Sequence, residues 1–291
     1  MTESKWNFKE GLKGRNIRVI GPVQEEVEVR MKERDSHRDT KHLHPSEMAK
    51  NEWCSRATWY KMHDTEKTNP DSLDLRRMNI LAEGNNIHDK WQNWIWDTGM
   101  LFGTFGCKRC GGVWEDQAPD RHDECGAPRE ELVYKEIPIK QESIKMIGHA
   151  DGGISDYEGE ALIEIKSVGL GTIRWDAPNL YQGYADGKVS LEELWKLIKR
   201  PLKSHLRQVY LYMWATGIHK AIVIYEWKPD QSIKEFHVEF DYELIRDRVE
   251  QAKQLLDDID NNIMPDRYPG AMRSKMPCRF CDYKKGCFGD A

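Results

Sequence analysis

The chain has 291 residues and a formal net charge of −5, with 39% hydrophobic and 32% charged residues. Its 11 Trp, 11 Tyr and 7 Phe argue against a disordered chain, since disordered chains are poor in aromatic residues. The longest uninterrupted apolar run, Val209 to Ala215, is far too short to cross a bilayer. The N-terminus lacks the apolar stretch of a secretory signal, so we expect an intracellular, cytoplasmic protein.

The first 45 residues form a charged N-terminal segment, and within it we expect the highly charged stretch from Gln24 to Lys41 to be solvated or loosely ordered. Ser46 is a candidate N-cap that opens a helix carrying Cys54, Trp59 and Tyr60. A second helix is predicted from Leu73 to Leu101, because apolar residues recur there at helical spacing with His88 beside them.

Two short motifs with metal-ligand spacing lie between residues 103 and 129. Cys107 and Cys110 form a C-x2-C pair followed by glycine, and His122 and Cys125 repeat that spacing further along. Together they supply the sulfur and nitrogen ligands of a tetrahedral structural zinc. Exposed thiols beside an unrelated pair are the alternative, but the matched glycines favour a zinc-knuckle insertion over 103–129.

The rest of the chain alternates between strand and helix patterns. Strands are predicted over 132–139, 143–154, 161–168, 221–227 and 233–240, and helices from 190, over 203–217 and from 244 towards Pro265. This order predicts an α/β fold with a mixed sheet.

A second cysteine group lies near the C-terminus, where Cys278, Cys281 and Cys287 offer three ligands without a fourth nearby. The unassigned Cys54 offers a fourth thiolate from far upstream. Four thiolates hold an iron–sulfur cluster, which we favour, and they also suit a second zinc. Either centre would join the two ends of the chain and stabilise the fold, since it closes a very long loop.

The central candidate for chemistry is the segment IGHADGGISDYEGEALIEIKSVG. Asp151 ends one predicted strand, and Glu164 and Lys166 lie on the next, where residues two apart face the same side. Carboxylates from adjacent strands suit Mg²⁺ or Mn²⁺. A neighbouring lysine can orient the attacking water, help deprotonate it, or offset charge on a phosphate. Taken alone, Glu-x-Lys is a common tripeptide, and a salt bridge on an edge strand explains it better.

Further motifs in the same order weaken that alternative. They are Gly84-x3-His88, Gly148-x2-Asp151, Glu164-x-Lys166 and Gln208-x3-Tyr212, with Cys54 before them and Cys278, Cys281 and Cys287 after them. With these motifs the chain resembles the PD-(D/E)xK nuclease superfamily. Within it, the chain is similar to the RecB-like iron–sulfur exonuclease branch: CRISPR spacer-acquisition nucleases, the AddB nuclease domain and phage exonucleases. The resemblance covers residues 46–288.

The resemblance implies a restriction-endonuclease-like α/β core, in which a mixed central sheet is flanked by helices and carries the zinc insertion and an iron–sulfur staple. It implies that Mg²⁺ or Mn²⁺ is bound by His88, Asp151, Glu164 and the Ile165 carbonyl. It implies that Lys166 is the catalytic lysine and that Gln208 and Tyr212 line the site. It also implies a 4Fe–4S cluster bound by Cys54, Cys278, Cys281 and Cys287.

A basic run precedes Gln208, and it contains no acidic residue: Lys196, Lys199, Arg200, Lys203 and Arg207. Such runs are usually solvated faces, but for one that flanks a proposed phosphate-cutting site we expect contact with a DNA backbone. Trp175, Tyr181 and Tyr184 offer stacking surfaces for unpaired bases, with core packing as the equal alternative.

The predicted function is therefore that of a metal-dependent DNA exonuclease in recombination, repair or phage or CRISPR DNA processing, encoded by a prokaryote or phage. The predicted partners are single-stranded DNA or DNA ends, with a recombination or CRISPR-adaptation protein as a further candidate. Two alternatives stay open. One is a structure-specific endonuclease on the same core, and the other is a non-catalytic DNA-binding assembly module.

Overall fold

A computed structural model describes residues 21, 23–27, 29–30, 39–67, 75–156 and 159–289. The chain divides into a smaller unit, residues 1–39 and 72–82, and a larger unit, residues 40–71 and 83–291. In the smaller unit, residues 21, 23–27 and 29–30 are helical and mostly exposed, so the described start of the Gln24–Lys41 stretch is solvated, as expected, but helical. An i,i+4 ion pair of 2.8 Å between Arg30 Nε and Glu26 Oε1 supports this helix.

Helices and strands alternate through the larger unit. The helices are α1 (Pro45–Met48), α2 (Ser55–Met62), α3 (Leu75–Asp97, of which 83–97 belong to this unit), α4 (Leu170–Asp176), α5 (Pro178–Ala185), α6 (Leu191–Leu197), α7 (Lys203–Thr216), α8 (Arg246–Asp260) and α9 (Lys284–Phe288). The strands are β1 (Leu101–Cys107), β2 (Val113–Gln117), β3 (Leu132–Tyr134), β4 (Ile137–Gln141), β5 (Met146–Ala150), β6 (Gly152–Asp156), β7 (Gly159–Val168), β8 (Lys220–Trp227) and β9 (Ile233–Glu239). Among the described residues, no helix is both long and apolar enough to cross a membrane.

Seven strands form one mixed sheet in the order β2-β1-β6-β7-β8-β9, with β3 paired to β1. Strands β7 and β8 run parallel, and the other pairs of the sheet are antiparallel. A parallel pair needs a crossover connection, which helices α4 to α7 supply between these two strands. Strands β4 and β5 form a separate antiparallel hairpin. The predicted fold class, α/β with a mixed central sheet flanked by helices, is confirmed.

The two faces of strand β7 pack into different cores. Ile163 and Ile165 are buried together with Ile87 and Ile95 of α3. Leu162 is buried on the other face, in a cluster that includes side chains of β8, α7 and α8. Because side chains alternate along a strand, Glu164 and Lys166 lie on the face opposite Ile163 and Ile165. The prediction that these isoleucines face the core is confirmed.

The helix predicted to open at Ser46 is instead two helices. His44 is the N-cap of the single-turn α1, with Pro45 at its first position, where its fixed φ suits a helix start. Cys54 lies outside both helices, at the extended N-cap position of α2. The expectation that Cys54 lies within the helix of Trp59 and Tyr60 was therefore wrong by one position.

The two strands predicted over 132–139 and 143–154 each split in two. Glu136 breaks the first with a φ of 64°, and Asp151 separates β5 from β6. The hairpin register pairs Ile137 with Ala150, so Glu136 and Asp151 are neighbours at the same end of the hairpin. The breaks thus bring two carboxylates to one place.

Two other stretches are more regular than predicted. The 103–129 region contains β2 and most of β1, so it is built into the main sheet rather than being a loop. The stretch 169–200 contains the three short helices α4, α5 and α6. Ser190 starts α6 with a capping box: its Oγ accepts the Glu193 N–H, and Glu193 Oε2 accepts the Ser190 N–H.

Candidate functional site

Asp151 lies between β5 and β6 and is held from two sides. Its Oδ2 accepts a 2.6 Å hydrogen bond from the Ile165 N–H of β7. Its backbone carbonyl accepts a 2.8 Å bond from Nε2 of Gln92, a buried residue of α3. Asp151 as a whole is only 8% exposed, so the strands and the helix around it fix the orientation of its carboxylate.

His88 of α3 faces this carboxylate, with 3.1 Å between its Nδ1 and Asp151 Oδ1. Burial lowers the pKa of His88, but the hydrogen bond and the charge of Asp151 outweigh burial and raise the pKa above its usual value. The sequence-predicted partners His88 and Asp151 are therefore in direct contact.

Glu136 is the site residue that sequence reasoning missed. One ligand atom each of His88, Glu136 and Asp151 lies within 4.8 Å of the others. Gln92 Nε2 also reaches Glu136 Oε1, at 3.4 Å. Burial and then the Asp151 charge raise the pKa of Glu136. No motif marked this residue, because only the positive φ and the hairpin register bring it beside Asp151.

Glu164 is 1% exposed and forms an ion pair with Lys166 on the same strand face. Burial raises the pKa of Glu164 to about 7, although the charge of Lys166 opposes the rise. Its Oε2 is buried and accepts no hydrogen bond within the described part of the chain. A buried carboxylate oxygen without a partner is costly, so a ligand of opposite charge would stabilise it.

Gln208 and Tyr212 lie on α7, four residues apart and on one face of the helix. Gln208 Nε2 donates to the Tyr212 hydroxyl over 2.7 Å. Tyr212 is 5% exposed, and burial followed by the charge of Glu164 raises its pKa. Because the charge of Glu164 acts on Tyr212, this face of α7 lies near Glu164 and Lys166 of β7.

Helix α3 is fastened to the sheet beside this site. Glu226 at the end of β8 is 3% exposed and pairs with Lys90 Nζ at 2.6 Å. Its Oε2 also accepts a 2.7 Å bond from Trp91 Nε1. Because Lys90 and Trp91 lie just after His88 on the same helix, this anchor sets the position of the segment that carries His88.

A second group that could hold a metal is the predicted zinc set Cys107, Cys110, His122 and Cys125, whose ligand atoms lie within 4.8 Å of one another. The Sγ atoms of Cys107 and Cys125 are 3.5 Å apart, and His122 Nδ1 lies 3.3 Å from Cys110 Sγ and 3.2 Å from Cys125 Sγ. Tetrahedral zinc with its usual bond lengths separates such ligand atoms by roughly 3.3–3.8 Å. The donor types and spacings fit one tetrahedral ion.

The turns of this group match the predicted knuckles. Gly111 and Gly126 have φ values of 76° and 66°, which suit glycine in tight turns. Burial raises the pKa of the Cys107 thiol, but hydrogen bonds from the Cys110 backbone N–H and the Cys125 thiol outweigh it and bring the pKa to about 6. Thiolate is the form of cysteine that binds metal.

The third cysteine set is looser than the zinc set. Burial raises the pKa of Cys281 to about 11, and the neighbouring sulfurs of Cys54 and Cys278 add to the rise. Burial also raises the pKa of Cys278, and the sulfurs of Cys54 and Cys287 add to that rise. Among the described residues these four sulfurs do not form a group as tight as the zinc set, whose ligand atoms lie within 4.8 Å. They are neighbours without the close spacing of a single tetrahedral ion.

Helix α2 is tied to the C-terminal segment around these cysteines. Arg56 Nε donates to the Pro265 carbonyl over 2.7 Å, and the Tyr60 hydroxyl donates to the Gly286 carbonyl over 3.1 Å. The rings of Tyr60 and Tyr283 stack with centroids 5.5 Å apart. The protein itself therefore joins the two distant parts of the sequence that carry the cysteines.

The predicted DNA-binding run is not uniform. Arg207 is 8% exposed and donates to Asn51 Oδ1 over 3.2 Å, so it lies in the protein interior. Lys196 is exposed but pairs with Glu192 at 2.5 Å. Lys199, Arg200 and Lys203 are exposed. Trp175 is 54% exposed, with the Arg174 guanidinium 5.7 Å from its ring centroid.

No protein family model and no curated protein matches this chain. Among solved structures, the chain is similar to SSO0001, at 16% identity and a TM-score of 0.40, over 89% of this chain and 93% of that one. It is also similar to an alkaline exonuclease, LHK-Exo, from Laribacter hongkongensis, at 13% identity and a TM-score of 0.38, over 76% of this chain and 89% of that one. The complex of LHK-Exo with dAMP gives a TM-score of 0.41 at the same identity and coverage. With every TM-score below 0.5, these likenesses assign neither a family nor an activity.

Proposed function

We propose that the protein is a metal-dependent DNA nuclease with a PD-(D/E)xK core, acting as an exonuclease. The observation that carries this proposal is the convergence of His88, Glu136 and Asp151 beside the buried Glu164 and its ion-pair partner Lys166. A structural salt bridge requires neither a third carboxylate nor a histidine at the same point.

The donor set fits a hard divalent cation. Oxygen ligands of octahedral Mg²⁺ are separated by about 3 Å when adjacent and about 4.2 Å when opposite. The 3.1 Å contact between His88 and Asp151 and the 4.8 Å limit on the group of three are compatible with such a shell after small adjustments. The unpartnered Oε2 of Glu164 offers a further ligand atom. We propose His88, Asp151, Glu164 and the Ile165 carbonyl as ligands, as the motif resemblance implies, and Glu136 as an additional one.

A bound Mg²⁺ or Mn²⁺ would polarise the phosphate and favour ionisation of the attacking water. Lys166 has the complementary role. Burial lowers its pKa, but the charges of Glu164 and Asp151 outweigh burial and raise it, so the side chain is an ammonium group with N–H donors. It therefore stabilises negative charge that develops on the phosphate and orients water, rather than removing a proton.

Gln208 and Tyr212 line the site from α7. Their mutual hydrogen bond fixes the amide of Gln208, so its remaining polar atoms can position water or a DNA phosphate. Tyr212 stays neutral at physiological pH, because its pKa is raised, and so its hydroxyl retains a proton to donate.

The two cysteine sets would carry structural cofactors. Zinc suits Cys107, Cys110, His122 and Cys125, whose spacing is that of one tetrahedral ion. For Cys54, Cys278, Cys281 and Cys287, the wider arrangement favours a 4Fe–4S cluster over a second zinc, since cluster sulfurs bind four different iron atoms. Hydrolysis needs no electron transfer, so the role of this cluster would be to hold the two ends of the domain together.

The DNA backbone would follow the exposed part of the basic run, Lys199, Arg200 and Lys203, which leads into α7. Arg207 drops out of this path, because its guanidinium is buried against Asn51. Lys196 contributes less than expected, since it is paired with Glu192. The exposed Trp175 beside Arg174 is a candidate stacking surface for an unpaired base.

One experiment tests the proposal directly. Protein purified without oxygen would be incubated with Mn²⁺, linear DNA labelled at either end, and covalently closed circular DNA. We expect release of label from linear DNA, no release after chelation of the metal, and survival of the circle. Cleavage of the circle would instead indicate the endonuclease alternative. DNA binding without any cleavage would leave the non-catalytic module and overturn the nuclease.

A further inference from the structure

His205 belongs to the same helix face as two proposed site residues. It precedes Gln208 by three positions and Tyr212 by seven on α7, so the three side chains form one row along the helix. His205 contacts Tyr225, whose register partner on β7 is Lys166, and the charge of Glu164 acts on Tyr212, so the row lies on the side of the sheet that carries Glu164 and Lys166. Burial lowers the pKa of His205 to about 3, and the charge of Lys166 adds to this effect. Its imidazole is therefore neutral at physiological pH.

The hydrogen bonds around His205 decide which ring nitrogen carries the proton. Tyr225 of β8, the register partner of Lys166, is fully buried, and its hydroxyl accepts a 2.7 Å bond from the Leu202 N–H. The same hydroxyl lies 2.6 Å from His205 Nδ1. Burial raises the pKa of Tyr225, so the phenol keeps its single proton.

That phenol proton needs an acceptor, because a buried O–H without one is costly. Leu202 offers a donor, so within the described residues the acceptor is His205 Nδ1. A neutral imidazole that accepts at Nδ1 carries its proton on Nε2. The Tyr225–Leu202 pair thus holds His205 in the Nε2–H form.

The second nitrogen of His205 is free to act on a ligand. Nε2 has no hydrogen-bond partner in the described part of the chain, and it is not among the buried polar atoms without one. It therefore keeps some accessible surface, as expected for a residue that is only partly buried. The result is an uncharged, oriented N–H donor beside the ammonium of Lys166.

We propose that His205 is a further substrate-contacting residue, whose Nε2–H donates to a non-bridging phosphate oxygen of the bound DNA. The proposal rests on the proposed nuclease function, and it adds a neutral hydrogen-bond donor, His205, to the cationic donor Lys166. A neutral donor strengthens phosphate binding without releasing a counterion, so its contribution does not depend on salt.

Two substitutions separate this role from a structural one. The amide nitrogen of His205→Gln can reach the place of Nε2, whereas the carbonyl of His205→Asn can replace Nδ1 as the acceptor for Tyr225. His205→Ala removes both functions. His237→Ala is the matched control, because His237 has a side chain 74% exposed on β9.

The experiment measures the Kd of each variant for a labelled linear DNA in Ca²⁺ at several salt concentrations, together with Mn²⁺-dependent cleavage and thermal melting. We expect His205→Ala to raise Kd about 10-fold, with the slope of log Kd against log salt unchanged, and His205→Gln to restore most of the affinity. Rescue by His205→Asn but not by His205→Gln would overturn the proposal in favour of a structural role. An unchanged Kd in His205→Ala would also overturn the proposal. So would a slope of log Kd against log salt that is smaller by about one, the change expected when one cationic contact is lost.

These outcomes are distinguishable from failure of the nuclease itself. If the wild type cleaves DNA and His205→Ala equals it in Kd and KM, the phosphate contact fails and the nuclease stands. If the wild type neither binds nor cleaves DNA, both proposals fail. Should His205→Ala not fold, the Gln and Asn variants decide the question between them.

Discussion

The Ile165 N–H of strand β7 donates to Asp151 Oδ2 over 2.6 Å, while Asp151 Oδ1 faces His88 Nδ1 at 3.1 Å. The two oxygens of one carboxylate thus have different tasks. One is bound to the backbone of the strand that carries Glu164 and Lys166, and the other points towards helix α3. Oδ2 thus fixes Asp151 to strand β7, while Oδ1 contacts His88, the other residue of this pair that we propose as a cation ligand.

Glu136 is expected to bind the catalytic metal. Because it shares a 4.8 Å group with His88 and Asp151, Glu136→Gln should raise the Mn²⁺ concentration for half-maximal activity about 10-fold or more. Activity would be titrated with Mn²⁺. The control is Glu115→Gln, an exposed carboxylate of β2, which should leave the titration unchanged. An unchanged titration in Glu136→Gln would remove this residue from the site.

His88→Ala should weaken metal-dependent activity more than it weakens folding. The side chain of His88 is 27% exposed, so its truncation opens no large cavity, whereas its Nδ1 is a proposed ligand. Mn²⁺ titration and thermal melting of the same variant separate the two effects. A large loss of melting temperature with an unchanged Mn²⁺ requirement would identify a core histidine instead.

The two cysteine sets should behave as independent sites. Ligand binding free energy becomes folding free energy, and the Cys54–Cys287 set joins distant parts of the chain, so its loss is the more damaging. Cys281→Ser should be colourless, poorly soluble and nearly inactive. Cys110→Ser should remain brown, lose zinc and keep the nuclease core folded.

Iron, sulfide and zinc analysis of both variants checks this assignment. The two substitutions are chemically identical, so each serves as the control for the other. Full iron and sulfide in Cys281→Ser, or their loss in Cys110→Ser, would contradict the division of ligands.

Glu226→Ala should loosen the helix that carries His88. The substitution leaves Lys90 and Trp91 without their carboxylate partner, so we expect the free energy of unfolding to fall by about 1–3 kcal/mol. Chemical denaturation measures this change. Glu239→Ala, at an exposed position on β9, should lower it by less than about 0.5 kcal/mol. Equal effects of the two substitutions would argue against the anchor.

The sequence was sufficient for the parts of the site that lie on regular elements. Residues two apart on a strand share a face, so the spacing of Glu164 and Lys166 was enough to pair them. Likewise, C-x2-C spacing grouped Cys107 and Cys110, whereas Gln208 and Tyr212 were paired by the motif resemblance and not by their spacing. Spacing along a regular strand or a short motif is enough to predict which of these side chains lie together.

The missed features depend on contacts between distant segments. Glu136 joins the site through an irregular φ and a hairpin register, neither of which has a sequence pattern of its own. Arg207 belongs by sequence to a basic run, yet it is buried and donates a hydrogen bond to Asn51, a residue from a distant part of the chain. The tautomer of His205 likewise follows from Tyr225, on a strand that comes after the helix.

The most direct test of the nuclease account compares the wild type with Lys166→Ala, measuring Mn²⁺-dependent release of end label and DNA affinity in parallel. Asp151→Asn and Glu164→Gln would accompany it, and we expect each of the three variants to lose nearly all cleavage. For Lys166→Ala the predicted loss in rate is at least about 10²–10³-fold, as for removal of one electrostatic donor. Its Kd for DNA should stay close to that of the wild type, since affinity comes mostly from phosphate contacts elsewhere. Digestion at the wild-type rate by Lys166→Ala would contradict the proposed mechanism.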